Sequence, residues 1–295
     1  MEFRKIEDKG GEVLVSKYYD GVHFAPNLPG KVEDHLKAVK NLKHKEGDVY
    51  FDTFPKCGTH WGYDILFMLQ NGKAVYNTGM LPALDIATVD KIDALESPRV
   101  LVSHFYPQHM PQAMVDKQCK VVYIFRNPKD TAVSMQSFMK RIKVDNMKPY
   151  TGTWDNFFDL YMTTDLHYNS WFEHVKSWLN FKKKHPEVPV MFLSFEDMKQ
   201  DLRGCVQKLA EFLGTNQDPV FLDDVASKCE FNAMSKAKSS DGEETSMSKD
   251  GSNPFFRKGE VGDWKNRFTV AQNEKFDKLL LEKMADIDLE IKYTL

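Results

Sequence analysis

Two short basic turns carry the residue types that handle phosphate-like anions. The first, Lys56-Cys57-Gly58-Thr59-His60, offers an ammonium, a flexible glycine, a hydroxyl and an imidazole in close succession. The second offers Arg126 and, one turn into the helical run behind it, Ser134. Glycine lets a backbone wrap an anion closely, and hydroxyls and cations complete the cage. Each turn lies where a run patterned as a buried strand gives way to one patterned as a helix. In a parallel α/β sheet, ligands bind there, at the carboxyl ends of strands where helix N-termini aim backbone N–H groups outward. Two cationic turns on one sheet edge therefore imply a ligand with two separated phosphate-like groups.

Taken singly, either turn reads as an ordinary solvated basic loop; their shared setting is what gives them weight. The first is not a nucleoside-triphosphate loop. That pattern, GxxxxGK[ST], places lysine after its second glycine, whereas Lys56 precedes the only glycine of residues 55–61. Cys57 lacks the arginine that would close a phosphatase loop, because position 63 is Tyr63, and Cys57 with His60 lacks a second ligand pair for zinc.

The elements that must position these turns follow one grammar. VYFDTF (49–54) reads as a buried strand, and a helix over 61–70 stops at Asn71-Gly72. VLVSH (100–104) is a short strand. CKVVYIF (119–125) is a stronger one, broken by RNPKD (126–130) before a helix over 131–143. PVMFLSF (189–195) leads into a helix over 196–214, ended by Gly214. A surface helix is expected over 33–44 and an amphipathic one over 268–287. Residues 236–253, rich in Ser, Lys and Gly, read as a mobile surface loop. Three strand–loop–helix units predict an α/β fold: one domain over residues 1–295, with a central parallel sheet flanked by helices.

Composition narrows the partners. The chain has 295 residues, 42% hydrophobic and 13% aromatic, enough for a large core. A net charge of −3 disfavours a nucleic-acid binder and confines any anion site to a local cluster. Cys57, Cys119, Cys205 and Cys229 form no CxxC pair, which suits a reducing compartment. The start, MEFRKIEDKG, lacks the apolar run of a signal peptide, and no stretch approaches the ~20 apolar residues of a membrane span. The expected location is cytoplasmic, without membrane or nucleic-acid partners.

These residues resemble the cytosolic sulfotransferases. FPKCGTHW (54–61) is similar to that family's 5′-phosphosulfate loop, and VVYIFRNPKDTAVS (121–134) to its 3′-phosphate element. FRKGEVGDWKNRFTVAQNE (256–274) is similar to its C-terminal signature, including the dimer motif KxxxTVxxxE. The resemblance runs from about residue 20 to the end. It implies a P-loop-like fold that binds 3′-phosphoadenylyl sulfate (PAPS) as co-substrate, releases adenosine 3′,5′-bisphosphate (PAP), and uses no metal. It further implies that Lys56, Cys57, Gly58, Thr59 and His60 surround the 5′-phosphosulfate. Arg126 and Ser134 would hold the 3′-phosphate, with Arg257, Lys258 and Gly259 closing over it. Trp61 and Phe231 would sandwich the adenine; read without the family, Trp61 is a core residue of its helix.

By the same resemblance, His104 is the base that takes the acceptor's proton, and Lys56 steadies charge on the bridging oxygen as the nucleotide leaves. On local sequence alone, His104 is a hydrogen-bonded histidine at a strand end. The acceptor pocket would be apolar with His104 at its base, walled by Phe24, Phe105, Tyr106 and Phe138, or these residues serve as ordinary core. Ala83 stands where relatives often have phenylalanine, which implies a roomier pocket. The helix over 131–143 carries no carboxylate, which favours phenols, alcohols or sterols over amines. Lys265, Thr269, Val270 and Glu274 fit the dimer motif, implying a weak homodimer; Thr269 alone also fits a helix cap.

The chain departs from the family at several positions. Cys57 replaces a serine and His60 a threonine; Val102 stands where many relatives have lysine; Phe195 and Cys229 replace a tyrosine and a threonine near the adenine. Cys57 beside Lys56 at a helix N-terminus reads either as a thiol of lowered pKa or as a small filler in a serine-sized space. Two other functions stay open: a nucleotide-binding protein of the same fold with weak or lost catalysis, and a kinase-like phosphotransferase, which the lysine position opposes. Each lost hydroxyl removes a hydrogen bond worth ~0.5–1.5 kcal/mol. PAPS affinity is therefore expected below that of typical relatives, and a nanomolar dissociation constant by calorimetry would contradict this.

Overall fold

Side-chain alternation sets the layers. In the computed structural model, which describes residues 3–79, 81–143, 148–239 and 245–295, four buried strands form one parallel sheet. The chain opens differently, with β1 (Phe3–Glu7), β2 (Val13–Tyr19) and β3 (Val22–Phe24) in a three-stranded antiparallel sheet of order β1-β2-β3. The sequence reading did not find this sheet. β1 is FRKIE with only Ile6 buried, so it shows little of the alternation of a half-buried strand.

After α1 (Val32–Lys40) come β4 (Val49–Thr53), α2 (Thr59–Asn71), α3 (Val89–Asp93), β5 (Val100–Ser103) and α4 (Gln112–Asp116). Then follow β6 (Lys120–Phe125), α5 (Pro128–Arg141), α6 (Trp154–Tyr161), α7 (Trp171–Lys184) and β7 (Val190–Ser194). The chain continues through α8 (Phe195–Gln200), α9 (Leu202–Leu213), α10 (Pro219–Lys228), α11 (Phe231–Lys238) and α12 (Val270–Met284). The parallel sheet runs β5-β4-β6-β7, so the strand order reverses at β4, the switch point where ligands collect. On one face Tyr50, Leu101, Val121 and Tyr123 join a core covered by α1, α5, α6 and α7. On the other, Phe51, Val102, Val122 and Ile124 pack against α2, α9 and α10.

Several expected boundaries move for local reasons. The helix expected from 131 begins at Pro128, because Asn127 accepts from the Asp130 N–H and proline fits the first helical position. The helix expected over 196–214 breaks at Asp201, which ends α8 and caps α9 by accepting from Gly204 N–H. The loop expected over 236–253 lies in part outside the described residues, at 240–244. Its described flanks are held: α11 runs through Lys238, Lys143 N–H donates to Met247 C=O over 2.7 Å, and Lys249 N–H donates to Arg141 C=O over 2.8 Å.

Packing sets how closely the first anion-handling helix approaches the sheet. A Cβ on Gly62 in α2 would lie 2.5 Å from both Ile124 Cδ1 and Phe51 Cζ. Glycine therefore lets α2 sit hard against β4 and β6, which fixes the turn in front of it.

Candidate active site

All four strands of the parallel sheet deliver residues to one edge. β4 ends at Thr53 and the chain turns through Lys56 at φ +71° and Gly58 at φ +106°. Glycine is needed at 58: the conformation is left-handed, and a Cβ would stand 3.1 Å from the Phe195 ring. No side chain caps α2, so its first N–H groups, from Thr59 onward, lack intrahelical partners and face the turn. Lys56 Nζ lies 4.3 Å from the Phe138 ring centre and 5.4 Å from that of Phe255, while the His60 ring stacks on Phe255 at 4.0 Å. Phe255 was missed in the sequence, although it immediately precedes the recognised FRKG stretch.

The second turn and the C-terminal segment meet the first. Arg126 is buried; it donates to the Lys56 carbonyl at 3.5 Å and to the Glu260 carbonyl at 2.9 Å. Its Nε is buried with no acceptor among the described residues. Burial pulls the guanidinium pKa down, against support from Asp130 and Glu196, so a further anion beside it would be stabilised. Arg257 and Lys258 both pair with Asp263. Burial would raise the Asp263 pKa, but hydrogen bonds from Lys258, Asn266 and Arg257 outweigh this and hold it well below the usual range. Ser134 is part-buried on α5, on the face it shares with Thr131, beside Cys57, and Phe138, beside Lys56.

Two aromatic residues, Trp61 and Phe231, stand beside this cluster. Trp61 is fixed by its Nε1 donating to the Cys229 carbonyl at 2.7 Å, and it meets Phe195 edge-on at 5.1 Å. Phe231 packs so closely on Gly259, at φ +64°, that a Cβ there would lie 2.1 Å from the ring. Lys199 Nζ lies 6.0 Å from the Trp61 ring and 5.9 Å from the Phe231 ring. The sequence reading did not find it. Phe195 offers its face to the Arg126 guanidinium at 4.3 Å, and Cys229 is fully buried at the end of α10.

His104 follows β5 and is tied to the first turn. Its Nδ1 lies 2.7 Å from the Thr53 carbonyl oxygen, and Thr53 Oγ1 lies 2.7 Å from Thr59 Oγ1 at the start of α2. A carbonyl oxygen only accepts, so the Nδ1 must carry the proton. In the neutral ring, Nε2 therefore keeps its lone pair, the arrangement a general base needs.

Of the expected pocket walls, Phe24 and Phe105 meet edge-on at 5.8 Å, and Tyr168, unforeseen, joins both and lies 5.5 Å from His104. Tyr168 is itself held by its hydroxyl donating to Asp85 over 2.6 Å. Phe138 is placed against Lys56 and Phe255. Tyr106 lies behind the others, against His174 at 5.2 Å, with its hydroxyl on the Tyr168 carbonyl. Ala83 lies outside the sheet, beside β5: its backbone makes an isolated bridge to Val102 and its methyl packs on the α2 side. Lys265, Val270 and Glu274 are exposed at the start of α12, where Thr269 accepts from Gln272 N–H in a reciprocal capping box. Among the described residues no group of three His, Cys, Asp or Glu could hold a metal.

The chain is similar to known proteins over most of its length. A family model described as Sulfotransferase domain matches residues 46–288. The chain is 33% identical to human Sulfotransferase 1C2 over 265 residues, covering 85% of this chain and 88% of that protein. The crystal structure of mouse sulfotransferase SULT7A1 complexed with PAP superposes with a TM-score of 0.76 at 31% identity, covering 92% of this chain and 95% of that one. Retinol dehydratase, in complex with androsterone and inactive cofactor PAP, shares the fold with a TM-score of 0.79 at 20% identity, covering 98% and 97%.

The geometry bears on the two readings of Cys57. Cys57 is fully buried, with Sγ 3.6 Å from Thr131 Oγ1, and burial pushes its thiol up to about 12 despite that contact and the nearby Arg126. Desolvation outweighs the neighbouring cation, which favours the buried filler over an activated thiol. Iodoacetamide at pH 8 should leave Cys57 unlabelled in the folded protein while labelling it after denaturation. Rapid native labelling, read by peptide mass spectrometry, would refute the assignment.

Proposed function

This chain belongs to the sulfotransferase family, and we propose that it transfers the sulfuryl group of PAPS to a hydroxyl or amine of a small, largely apolar acceptor, with His104 as general base. The observation that carries this reading is the His104–Thr53–Thr59 chain. It joins an imidazole of fixed tautomer to the turn that bears Lys56. The mouse relative crystallised with PAP supports PAPS as co-substrate, since PAP is what PAPS becomes on losing its sulfuryl group.

The residues present fit such a nucleotide. Arg126, with its unpaired buried Nε, Ser134, Arg257, Lys258 and Gly259 would hold the 3′-phosphate. The turn Lys56–His60 with the N–H groups of α2 would hold the 5′-phosphosulfate. Trp61 and Phe231 would take the adenine face on, beside Phe195 and Cys229, with Lys199 adding positive charge at its edge. PAPS supplies an activated sulfuryl group, and the protein's own work is positioning and charge stabilisation. His104 Nε2 would accept the proton that leaves the acceptor, and the Lys56 ammonium would balance negative charge gathering on the bridging oxygen. Phe24, Phe105 and Tyr168 would present an apolar acceptor to His104, which favours phenols and hydrophobic alcohols or sterols.

No helix among the described residues is long and apolar enough to cross a membrane. The resemblance to the cytosolic members of the family supports a cytoplasmic site of action. Labelled PAPS offered with a panel of phenols, alcohols, sterols and amines should yield sulfated product. His104→Ala should lower kcat about 10²–10⁴-fold with PAP binding retained. PAP binding with no product from any acceptor would instead leave a nucleotide-binding protein without catalysis.

We further assign Lys265, Thr269, Val270 and Glu274 to a small two-fold interface. Val270 is 77% exposed beside exposed Lys265 and Glu274, an apolar centre with one charge of each sign around it. Val270→Glu should convert dimers to monomers in sedimentation runs. A wild-type protein that stays monomeric at every concentration would overturn the assignment.

A further inference from the structure

The backbone that carries His104 has run out of sheet. β5 is the edge strand, and its pairing with β4 ends at the Asp52–Ser103 register. Buried carbonyl groups beyond that point need donors from elsewhere. Helix α7 provides two of them. His174 Nε2 lies 3.0 Å from the His104 carbonyl oxygen, and Trp178 Nε1 donates to the Phe105 carbonyl over 3.2 Å. These side chains stand four residues apart, so a single helix face presents both donors in register with two consecutive carbonyls.

The chemistry of His174 is fixed on both sides. Its Nε2 faces a carbonyl oxygen, which only accepts, so Nε2 carries the proton. Nδ1, 2.8 Å from the Tyr123 hydroxyl, then accepts from that group on β6. Both His174 and Trp178 are fully buried. Burial also depresses the His174 pKa to about 3, with the His104 carbonyl opposing it, so this imidazole stays a neutral donor through the physiological range. Asp52 Oδ1 stands 3.6 Å from Nε2, beyond hydrogen-bond reach.

We propose that His174 and Trp178 are positioning residues for sulfuryl transfer, clamping the main chain of residues 104–105 so that the His104 ring stays on the Thr53 carbonyl. This deepens the reaction proposed above and rests on His104 being its base. The side chain of His104 is then anchored by β4, and its backbone by α7 and, through Tyr123, by β6. Loosening the backbone anchor would let the ring drift or turn over. Misplacing a reacting group by an ångström can cost about a hundredfold in rate.

The test uses the full chain, with PAPS and the best acceptor of the panel, and four variants. His174→Phe should lower kcat about 30–100-fold with PAP affinity unchanged within about twofold. His174→Gln, whose amide nitrogen can reach the same carbonyl, should regain most of that loss. Trp178→Phe removes the N–H together with part of the buried indole, and it should lower kcat about three- to tenfold; read by the His104 tautomer, it decides the matter should His174→Phe fail to fold. A readout without turnover comes from ¹⁵N NMR of the histidine rings, with His104→Ala identifying the His104 signals. His104 should show the Nδ1–H tautomer in wild type and His174→Gln, and a mixture of tautomers in His174→Phe. Wild-type kcat and tautomer in His174→Phe, or equal losses in the Phe and Gln variants, would overturn the clamp. Full turnover by His104→Ala would remove the base reading alone, leaving the tautomer measurement to decide the clamp.

Discussion

One buried carboxylate brings the site together. Asp130, fully buried near the start of α5, accepts the N–H of Gly262 at 2.7 Å and of Trp264 at 2.8 Å. It also accepts from Asn127 Nδ2 at 2.9 Å, while its own N–H goes to Asn127 Oδ1. Charge-assisted bonds of this kind are about twice as strong as neutral ones. They tie the turn after β6 to a segment more than a hundred residues downstream. Arg126 holds Glu260 from the same turn. Lys129 sits in a box formed by Trp264 at 4.5 Å, Tyr293 at 4.8 Å and Asp277. Three neighbouring residues thus dock the stretch bearing Arg257, Lys258 and Gly259. Without that docking, Arg257 and Lys258 would lose their place beside Arg126.

Electrostatics then favours leaving the site hungry for anions. Asp263 is the carboxylate placed between Arg257 and Lys258, and it orients both while neutralising part of their charge. Arg126 is balanced less fully: its carboxylate neighbours, Asp130 and Glu196, accept hydrogen bonds from Asn127, and its own contacts are to carbonyl oxygens. These contacts hold Arg126, Arg257 and Lys258 in place without any ligand. Little reorganisation remains to be done at binding, which is the condition under which positioned charges stabilise a transition state most.

How much of this could be read from the chain depends on how local each signal is. The strands at 49–54, 100–104, 119–125 and 189–195 were legible because buried parallel strands are nearly continuous apolar runs, and their ends fall within a residue or two of the observed ones. Lys56, Arg126 and Arg257 were legible because each sits in a short motif with a charge. Asp130 and Asp263 were passed over, since a carboxylate near a presumed anion site looks out of place until the backbone N–H groups it accepts from are seen. His174 and Phe255 act across the fold, and no spacing in the sequence announces a helix side chain that meets a strand's carbonyl.

The N-terminal sheet has a rationale that only the site supplies. Tyr168 and Asn169 both adopt left-handed backbone conformations, φ +62° and +58°, which asparagine takes readily but which is unusual for tyrosine. Such strain at Tyr168, about 1–3 kcal/mol, persists only where neighbours over-determine it. Here they do. The Tyr168 N–H donates to the His23 carbonyl, the His23 N–H donates to the Asn169 side chain, and that side chain donates in turn to the Gly21 carbonyl. His23 and Gly21 belong to the turn and strand that also deliver Phe24. The antiparallel sheet thus places two aromatic rings at once: Phe24 directly, and Tyr168 by forcing a backbone it would not choose. The charged N-terminal sheet is ordered because Ile6, Leu14, Val22 and Phe24 pack from it into the main core.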